Sequence, residues 1–422
     1  MSSYYLGIDV GGSHITLDLI DSGSFRPLAG ATVRKALDTH VEPSIVLAVF
    51  DAAIRECAAK ADGEVLGVGL AIPGPFDYAR GICRITPGQK KYDLSFGVNF
   101  RQSLSRALPG KPVLFVNDAA GFALGEYFNG SAKGFRRPVV VTLGTGFGAS
   151  FLLDGRPQQG SANCPAVAQP PAAADYDHPV VPTGGELWHI PFLGKIADDI
   201  FGTRWLIAEY ARVTGKTLPG GKEIAQAAFS GDADARQVYA TFATNLAEFI
   251  APWLAGFGAD AFVIGGNLAR DWELFAPIFE AELKKRLPNQ PVAVKPCALG
   301  EGAPVVGAAL AQTLVDPQSL LPGELPPSFK GFDFILKELV KAASTVKRLR
   351  LDGSEKIAWD ALVNKLDAAL LGQGIRTVWF DATSRPHADI RADQTAFSVA
   401  YGPSAEQTPW GDDVQTLVLG VD

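Results

Sequence analysis

The sequence predicts an α/β protein made of two related lobes, followed by a small α+β unit. A strand, a glycine turn and a second strand occur at residues 4–20 and again at 138–153. Strands alternate with helices after each of these hairpins, which is typical of an α/β arrangement. Internal duplication of this kind indicates two similar lobes rather than one continuous sheet. A proline-rich linker at 316–329 then separates residues 330–422 from the lobes.

The first lobe, residues 1–122, is predicted from the spacing of apolar residues. The alternation in "ITLDLI" indicates an antiparallel partner for the first strand, and the apolar run "VLGVGLAI" indicates a buried strand that runs into a Gly/Pro-rich loop. The predicted elements around these strands are a strand at 4–10, helices at 43–61 and 99–107, a strand at 112–117 and a helix at 119–129.

The second lobe, residues 123–299, is predicted to begin with two strands within 138–155. Residues 155–184 are rich in Pro, Ala and Gln and predict a surface loop or insertion. A helix at about 300–315 is expected to join the first lobe. The remaining predicted elements are helices within 195–255, a strand at 260–266, a helix at 272–287 and a strand at 291–295.

The C-terminal unit carries no chemical motif. Its predicted elements are helices at 333–350 and 355–371 and strands at 375–381, 395–402 and 414–421. The amphipathic pattern "AWDALVNKLDAALLGQG" is consistent with a role in assembly or regulation.

The composition restricts the class of protein. The chain has 422 residues, of which 47% are hydrophobic and 20% charged, as is typical of globular domains. Its net charge of -7 disfavours nucleic-acid or membrane partners. The four cysteines form no Cys-x-x-Cys pair, which predicts reduced thiols. The N-terminus has no signal-peptide pattern, so we expect a cytoplasmic protein.

Two glycine loops are candidate phosphate sites. In "GIDVGGSH", Asp9 comes near the end of a strand and is followed by Gly11, Gly12 and Ser13. Glycines leave consecutive backbone N–H groups free to hold a phosphate, and a nearby carboxylate can hold Mg²⁺ directly or through water. The alternative is a β-hairpin with a plain Gly-Gly turn. The second loop, "LGTGFGAS", repeats the arrangement with Gly144, Thr145 and Gly146. Together, the two glycine loops suggest a site in which each lobe contacts a polyphosphate from one side.

The stretch "PVLFVNDAAGFALGE" raises a further question. An apolar strand ends at Asn117 and Asp118, and a helical pattern of small residues starts at once. Asp118 is interpreted either as a cap of that helix or as a base that accepts a proton. The two interpretations are compatible, because a helix N-terminus lowers the pKa of a carboxylate without removing its ability to accept a proton.

Seven segments occur in the order and spacing of the ROK family, which the chain resembles over residues 4–315. They are "LGIDVGGSH", "GVGLAIPGPFD", "VLFVNDAAGFALGE", "VVVTLGTGFGASFLLDG", "GGELWH", "VIGGNLAR" and "LGEGAPVVGAAL". The resemblance implies the two-lobed actin-like (ribonuclease H-like) ATPase fold and a glucokinase-like activity, the ATP-dependent phosphorylation of a hexose. It implies ATP and Mg²⁺ as cofactors, and we expect a homodimer.

The resemblance also implies roles for individual residues. Asp118 matches the general base, and Asp9 belongs to the first phosphate segment, where its carboxylate is the candidate Mg²⁺ ligand, directly or through water. The residues matched to sugar contacts are Gly74, Asn117, Asp118, Glu186 and His189. Those matched to ATP contacts are Asp9, Gly11, Gly12, Ser13, Gly144, Thr145, Gly146, Gly265, Gly266 and Asn267.

The chain departs from the family pattern at three places. No cysteines follow "GELWH", so we expect no zinc, with apolar packing by Phe192, Phe201 and Trp205 in its place. Trp188 stands where family members usually have glycine and puts a large side chain beside the expected sugar site. The sugar-contacting segment usually found after the Pro-Gly loop is replaced by "TPGQKKYDLSFGVNF", with Gly88 and Gln89 in its place.

Two alternatives to a kinase stay open. One is a catalytically weak sugar-binding or scaffold protein of the same fold. The other is a sugar-responsive transcriptional regulator, which would need a winged helix-turn-helix ahead of the first loop, whereas that loop begins within nine residues of Met1. The histidines without a motif, His14, His40, His178 and His387, are predicted to be surface or loop residues.

Overall fold

The computed structural model of the protein describes most of the two lobes and four strands that follow the lobes in the sequence. The described residues are 2–79, 81–85, 92, 94–158, 180–182, 184–314, 348–352, 376–381, 396–401 and 416–420. Most of the predicted insertion, the linker, the segment with Gly88 and Gln89, His178 and His387 lie outside these residues. The predictions for them, and the domain boundaries, stay predictions.

The first sheet contains five strands in the order β3-β2-β1-β4-β7. Strand β1 pairs antiparallel with β2 and parallel with β4, and β4 pairs parallel with β7. The elements of this part of the chain are β1 (Ser3–Val10), β2 (His14–Asp21), β3 (Val33–Ala36), α1 (Pro43–Ala58), β4 (Glu64–Ile72), β5 (Phe76–Asp77), β6 (Ile82–Cys83), α2 (Phe100–Leu104) and β7 (Val113–Asn117).

The second sheet repeats this order as β10-β9-β8-β13-β14, with the antiparallel hairpin and the parallel strands in corresponding places. The structure therefore confirms the duplication. The elements are α3 (Asp118–Asn129), β8 (Pro138–Leu143), β9 (Phe147–Leu153), β10 (Arg156–Pro157), β11 (Pro191–Phe192), β12 (Lys195–Ile196), α4 (Ala197–Ile200), α5 (Thr203–Thr214), α6 (Gly221–Phe229), α7 (Ala233–Phe257), β13 (Ala261–Gly265), α8 (Trp272–Arg286), β14 (Ala293–Pro296) and α9 (Ala303–Ala311).

Each sheet builds a separate hydrophobic core. The central strands are buried on both faces, as parallel strands covered by helices should be, and every residue of β13 is buried. The helical stretch predicted at 195–255 is divided into α4, α5, α6 and α7, and the predicted elements omitted the short hairpin β11–β12 that precedes them. Among the described residues, α7 and every other helix are too short or too polar to cross a bilayer.

Helices α3 and α9 lie between the two sheets. A third apolar cluster joins Leu114 of β7 and Phe122 of α3 to Val140 and Val263 of the second sheet. The helices approach each other and the first sheet at backbone distance, because a Cβ atom at any of several glycines would overlap a backbone oxygen of α9 or α3. These glycines are Gly7, Gly69, Gly125 and Gly307.

The C-terminal strands form a four-stranded sheet in the order β16-β17-β15-β18, in which every pair is parallel. The strands are β15 (Arg348–Asp352), β16 (Arg376–Asp381), β17 (Ala396–Tyr401) and β18 (Thr416–Gly420). The sequence predicted only the last three, and the helix predicted up to residue 350 is wrong at its end, because 348–350 belong to β15.

The crossing of α3 and α9 predicts the outcome of a single methyl insertion. Gly307→Ala should lower the free energy of unfolding by about 1 to 3 kcal/mol, because its Cβ would overlap the carbonyl oxygen of Gly121. Gly302→Ala is the matched control, since a Cβ there meets nothing within 4 Å. Urea unfolding of both variants measures the difference, and equal stabilities would contradict the close crossing.

Candidate active site

The predicted site segments lie at the carboxyl ends of parallel strands, with the exception of Glu186 and His189. Asp9 of β1 is paired with Ala71 of β4, and Ile72 of β4 is paired with Asn117 of β7. In the second sheet, Gly265 closes β13. The crevice outside these strand ends is where open α/β sheets bind ligands.

Asn117, not Asp118, caps helix α3. The Asn117 Oδ1 atom accepts hydrogen bonds from the backbone N–H groups of Ala119 (2.9 Å) and Ala120 (3.3 Å). Asp118 is the first residue of the helix, where its Oδ1 accepts from the Ala119 N–H at 2.9 Å. The capping interpretation of Asp118 is therefore wrong. Its side chain is exposed at the helix N-terminus, where a negative charge is stabilised.

The amide nitrogen of Asn117 joins the two lobes. Its Nδ2 atom donates to the hydroxyl of Tyr78 (3.1 Å) and to Oε1 of Glu186 (3.0 Å). Tyr78 in turn donates to the carbonyl oxygen of Ile72 at 3.3 Å. A Cβ at Gly74 would lie 3.0 Å from the Tyr78 hydroxyl, so Gly74 borders this network. The structure thus brings together Asn117, Asp118 and Glu186, and adds Tyr78, which sequence reasoning missed.

Glu186 is held at both carboxylate oxygens. Oε2 accepts a hydrogen bond from the indole Nε1 of Trp188 at 2.6 Å. Burial raises the pKa of Glu186, the Trp188 hydrogen bond opposes that change, and the charge of Asp118 adds to it. His189 packs edge-on against Trp188, with ring centroids 5.2 Å apart. Burial lowers the pKa of His189, so its ring is neutral at pH 7.

A cavity of about 550 Å³ opens between the lobes. Asp9 and Gly11 line it from the first lobe, and Gly266 and Asn267 line it from the second. Glu301, just before α9, lines its remaining side. This volume is within the range of small-molecule and cofactor sites.

Asp9 is the most strongly perturbed carboxyl of this cavity. Burial, and then the negative charges of Asp118 and Glu301, raise its pKa to about 7, while Arg34 opposes the change. A half-buried carboxyl among like charges favours a bound cation, and Mg²⁺ prefers such oxygen ligands. The residues present therefore fit a magnesium ion. Among the described residues, no group of three or more His, Cys, Asp or Glu could hold a metal by itself.

His14 is partly exposed but lies in a strand rather than in a loop, whereas His40 is exposed in a turn as expected. His14 starts β2 and lines the cavity, where its Nε2 lies 2.8 Å from a guanidinium nitrogen of Arg34. Arginine only donates, so Nε2 accepts and the proton sits on Nδ1, which faces Ser13 Oγ at 3.3 Å. The pairing of β3 with β2 brings Arg34 here, and no local motif signals that pairing.

The second glycine loop lies beside the cavity. Thr142, just before the loop, lines the cavity, but none of Gly144 to Gly146 does. The Gly144 N–H donates to the Gly146 carbonyl at 3.0 Å, and the next amide, of Phe147, donates to Asp198 at 2.7 Å. The loop is thereby tied to α4. Sequence reasoning missed Asp198, whose carboxylate borders Gly146.

In the first glycine loop, Gly12 and Ser13 are exposed.

The "GGN" segment divides into packing and exposed residues. Gly265 is buried, and a side chain there would overlap the ring of Phe122, so the glycine permits close packing, while its predicted nucleotide contact stays a prediction. Gly266 has a φ of 82° and approaches the backbone of Leu143 too closely for a side chain. Asn267 is exposed on the cavity.

The aromatic packing predicted in the region after His189 is present. Phe192 stacks on Phe201, with ring centroids 5.7 Å apart, and both rings contact Phe249. Trp205 packs against Phe242 at 6.1 Å. These contacts fix the chain that follows Glu186 and His189 against the core of the second lobe.

The chain belongs to the ROK family, whose model matches residues 5–166 and 201–313. The match omits residues 167–200, and therefore Glu186, Trp188 and His189. The fold is the two-lobed actin-like fold of a ROK family glucokinase from Streptomyces griseus, solved with glucose and AMPPNP. That structure covers 72% of this chain and 98% of its own, with a TM-score of 0.55 and 23% identity.

Two relatives with different named activities match over nearly their whole length. The glucokinase of Thermotoga maritima is 25% identical over 327 residues, which are 72% of this chain and 95% of the relative. The N-acetyl-D-glucosamine kinase of Aliivibrio salmonicida is 29% identical over 305 residues, which are 69% of this chain and 91% of the relative.

The raised pKa of Asp9 predicts a pH-dependent cost in stability. The folded protein binds the Asp9 proton more tightly than the unfolded chain, so this carboxyl destabilises the fold increasingly from about pH 4 to about pH 7. In buffer without divalent cations at pH 8, Asp9→Asn should therefore raise the free energy of unfolding by about 1 to 2 kcal/mol, and the gain should shrink towards pH 4.

Urea unfolding at both pH values measures this change. Asp199→Asn is the control, since Asp199 is exposed on α4 and its loss should change stability by less than about 0.5 kcal/mol. A destabilised Asp9→Asn protein at pH 8 would show that the carboxyl is not strained by its surroundings.

Proposed function

We propose that the protein is an ATP-dependent hexose kinase of glucokinase-like activity, with Asp118 as the general base. The observation that carries the proposal is the 3.0 Å hydrogen bond between Asn117 and Glu186. It joins two segments from different lobes at the N-terminus of α3, where Asp118 is the next residue. The relatives named glucokinase and N-acetyl-D-glucosamine kinase support the same class of substrate.

Asp118 is suited to receive a proton from a sugar hydroxyl. Its side chain is exposed, and its charge raises the pKa values of both Asp9 and Glu186. Asp118 therefore lies within electrostatic reach of both the proposed phosphate side and the proposed sugar side. Phosphoryl transfer depends mainly on positioning and charge neutralisation, with late proton removal, so a base of modest strength is sufficient.

The cavity residues define how ATP and Mg²⁺ would be held. Asp9 would hold the magnesium ion, directly or through water, and the bound ion would neutralise charge on the transferred phosphoryl group. The backbone of the loop containing Gly11 would contact the phosphates within the cavity, and the loop containing Gly144, which lies beside the cavity, would contact them from the second lobe. Gly266 with Asn267 would contact the adenosine. The absence of zinc, the homodimer and the cytoplasmic location stay predictions.

One observation favours a second candidate, a sugar-binding protein of weak activity. The carboxylate of Asp198 borders Gly146 and accepts the amide of Phe147, so it occupies a position beside the second predicted phosphate loop. Asp198 is also paired with Arg204 at 3.0 Å, which offsets its charge. In an ATP-dependent enzyme, one of two things would be needed when nucleotide binds. Either Arg204 continues to offset the charge of Asp198, or the second glycine loop shifts away from that carboxylate.

Removal of the proposed base should abolish turnover and spare sugar binding. Asp118→Asn should lower kcat by about 100- to 10,000-fold and change the KM for the sugar by less than about threefold, because the amide cannot accept the hydroxyl proton. ADP release across a panel of hexoses and amino sugars measures this loss.

Asp234→Asn is the matched control, since Asp234 lies in the first turn of another helix, α7. This control variant should retain wild-type turnover. If no sugar stimulates ADP release by the wild-type protein above the level of Asp118→Asn, the kinase proposal fails and the sugar-binding alternative is favoured.

A further inference from the structure

Trp188 is a large side chain at the edge of the proposed sugar site. It lies two residues beyond Glu186, and its side chain is bonded to that carboxylate at 2.6 Å. It is 44% exposed, so part of the indole faces solvent while its N–H contacts Glu186. A small residue at this position would leave the space beside the carboxylate open.

The indole is held from several directions. Its N–H is bonded to Glu186, and its ring packs against the ring of His189. The Trp188 carbonyl oxygen accepts the backbone N–H of Asp198 at 3.0 Å, which fixes the main chain at the start of α4. A side chain fixed in this way cannot easily move aside, so it can reject a ligand group by steric overlap.

Glu186 keeps its capacity to bind a hydroxyl. Each carboxylate oxygen holds one donor, from Asn117 or from Trp188. An ionised carboxylate has about four lone-pair positions, so each oxygen can accept one further hydrogen bond. The same carboxylate can therefore accept sugar hydroxyls while Trp188 limits the size of the substituents beside them.

We propose that Trp188 determines specificity, by excluding hexoses with an N-acetyl group next to Glu186 and admitting unsubstituted hexoses. The proposal rests on the proposed function and adds the class of sugar that the site accepts. If Trp188 rejects the N-acetyl group by steric overlap, the site is selective while the indole is present and loses that selectivity when the indole is removed.

Two substitutions separate the volume of the indole from its hydrogen bond. Trp188→Ala removes both, whereas Trp188→Phe keeps most of the aromatic volume and removes the N–H donor. The affinities of each protein for glucose and for N-acetylglucosamine are measured by calorimetry without ATP, and kcat/KM for both sugars is measured by ADP release. Leu193→Ala is the control, since Leu193 is a 63% exposed apolar residue at the turn of the neighbouring hairpin.

In Trp188→Ala, the preference for glucose over N-acetylglucosamine should fall by at least about tenfold, in binding and in kcat/KM. In Trp188→Phe the preference should change by less than about threefold, with weaker binding of both sugars. Leu193→Ala should match the wild type. Thermal unfolding of every variant confirms that the folded state is retained.

An unchanged preference in Trp188→Ala, a wild-type preference for N-acetylglucosamine, or binding of neither sugar would overturn the inference. Selective binding by the wild type without any ADP release would instead contradict the proposed kinase function, because the calorimetric comparison does not depend on turnover. The two failures are thus distinguishable.

Discussion

The position of the site depends on the contact between helices α3 and α9. Glycines let these helices and the first sheet meet at backbone distance, so α3 has little freedom to shift. Its N-terminus carries Asn117 and Asp118. At the other end of α3, the fully buried Glu126 accepts the backbone N–H groups of Ser131, Ala298 and Leu299, which satisfies a carboxylate that burial would otherwise penalise. Packing thus fixes the helix at one end so that its other end can be functional.

Negative charge is the second feature that organises the cleft. Asp118 influences both Asp9 and Glu186, and Glu301 adds to the effect on Asp9. A polyphosphate would be repelled from such a site unless a cation accompanied it. Burial and these charges together make ionised Asp9 unfavourable in the free protein, and a Mg²⁺ ion bound there, as proposed, would offset both.

The sequence predicted the fold well because its signals are local. Strand alternation, glycine turns and their repetition identify both sheets without any knowledge of distant contacts. Candidate site residues could be recognised where a motif adjoins a strand end, as at Asp9 and Asn117, and the structure has both residues at strand ends. Contacts between remote parts of the chain were missed: Tyr78 with Asn117, and Arg34 with His14. The capping of α3 was assigned to the wrong neighbour, because Asn117 and Asp118 are both good capping residues and only the backbone geometry decides.

The most direct measurement is a crystal structure of the protein with a hexose, Mg²⁺ and a non-hydrolysable ATP analogue. The account predicts a sugar hydroxyl within hydrogen-bond distance of the Asp118 carboxylate, on the line to the terminal phosphate, with the metal ion at Asp9. Glu186 should accept another hydroxyl of the same sugar. A sugar bound away from Asp118, or a nucleotide that contacts neither glycine loop, would contradict the assignment of Asp118 as the base of a sugar kinase.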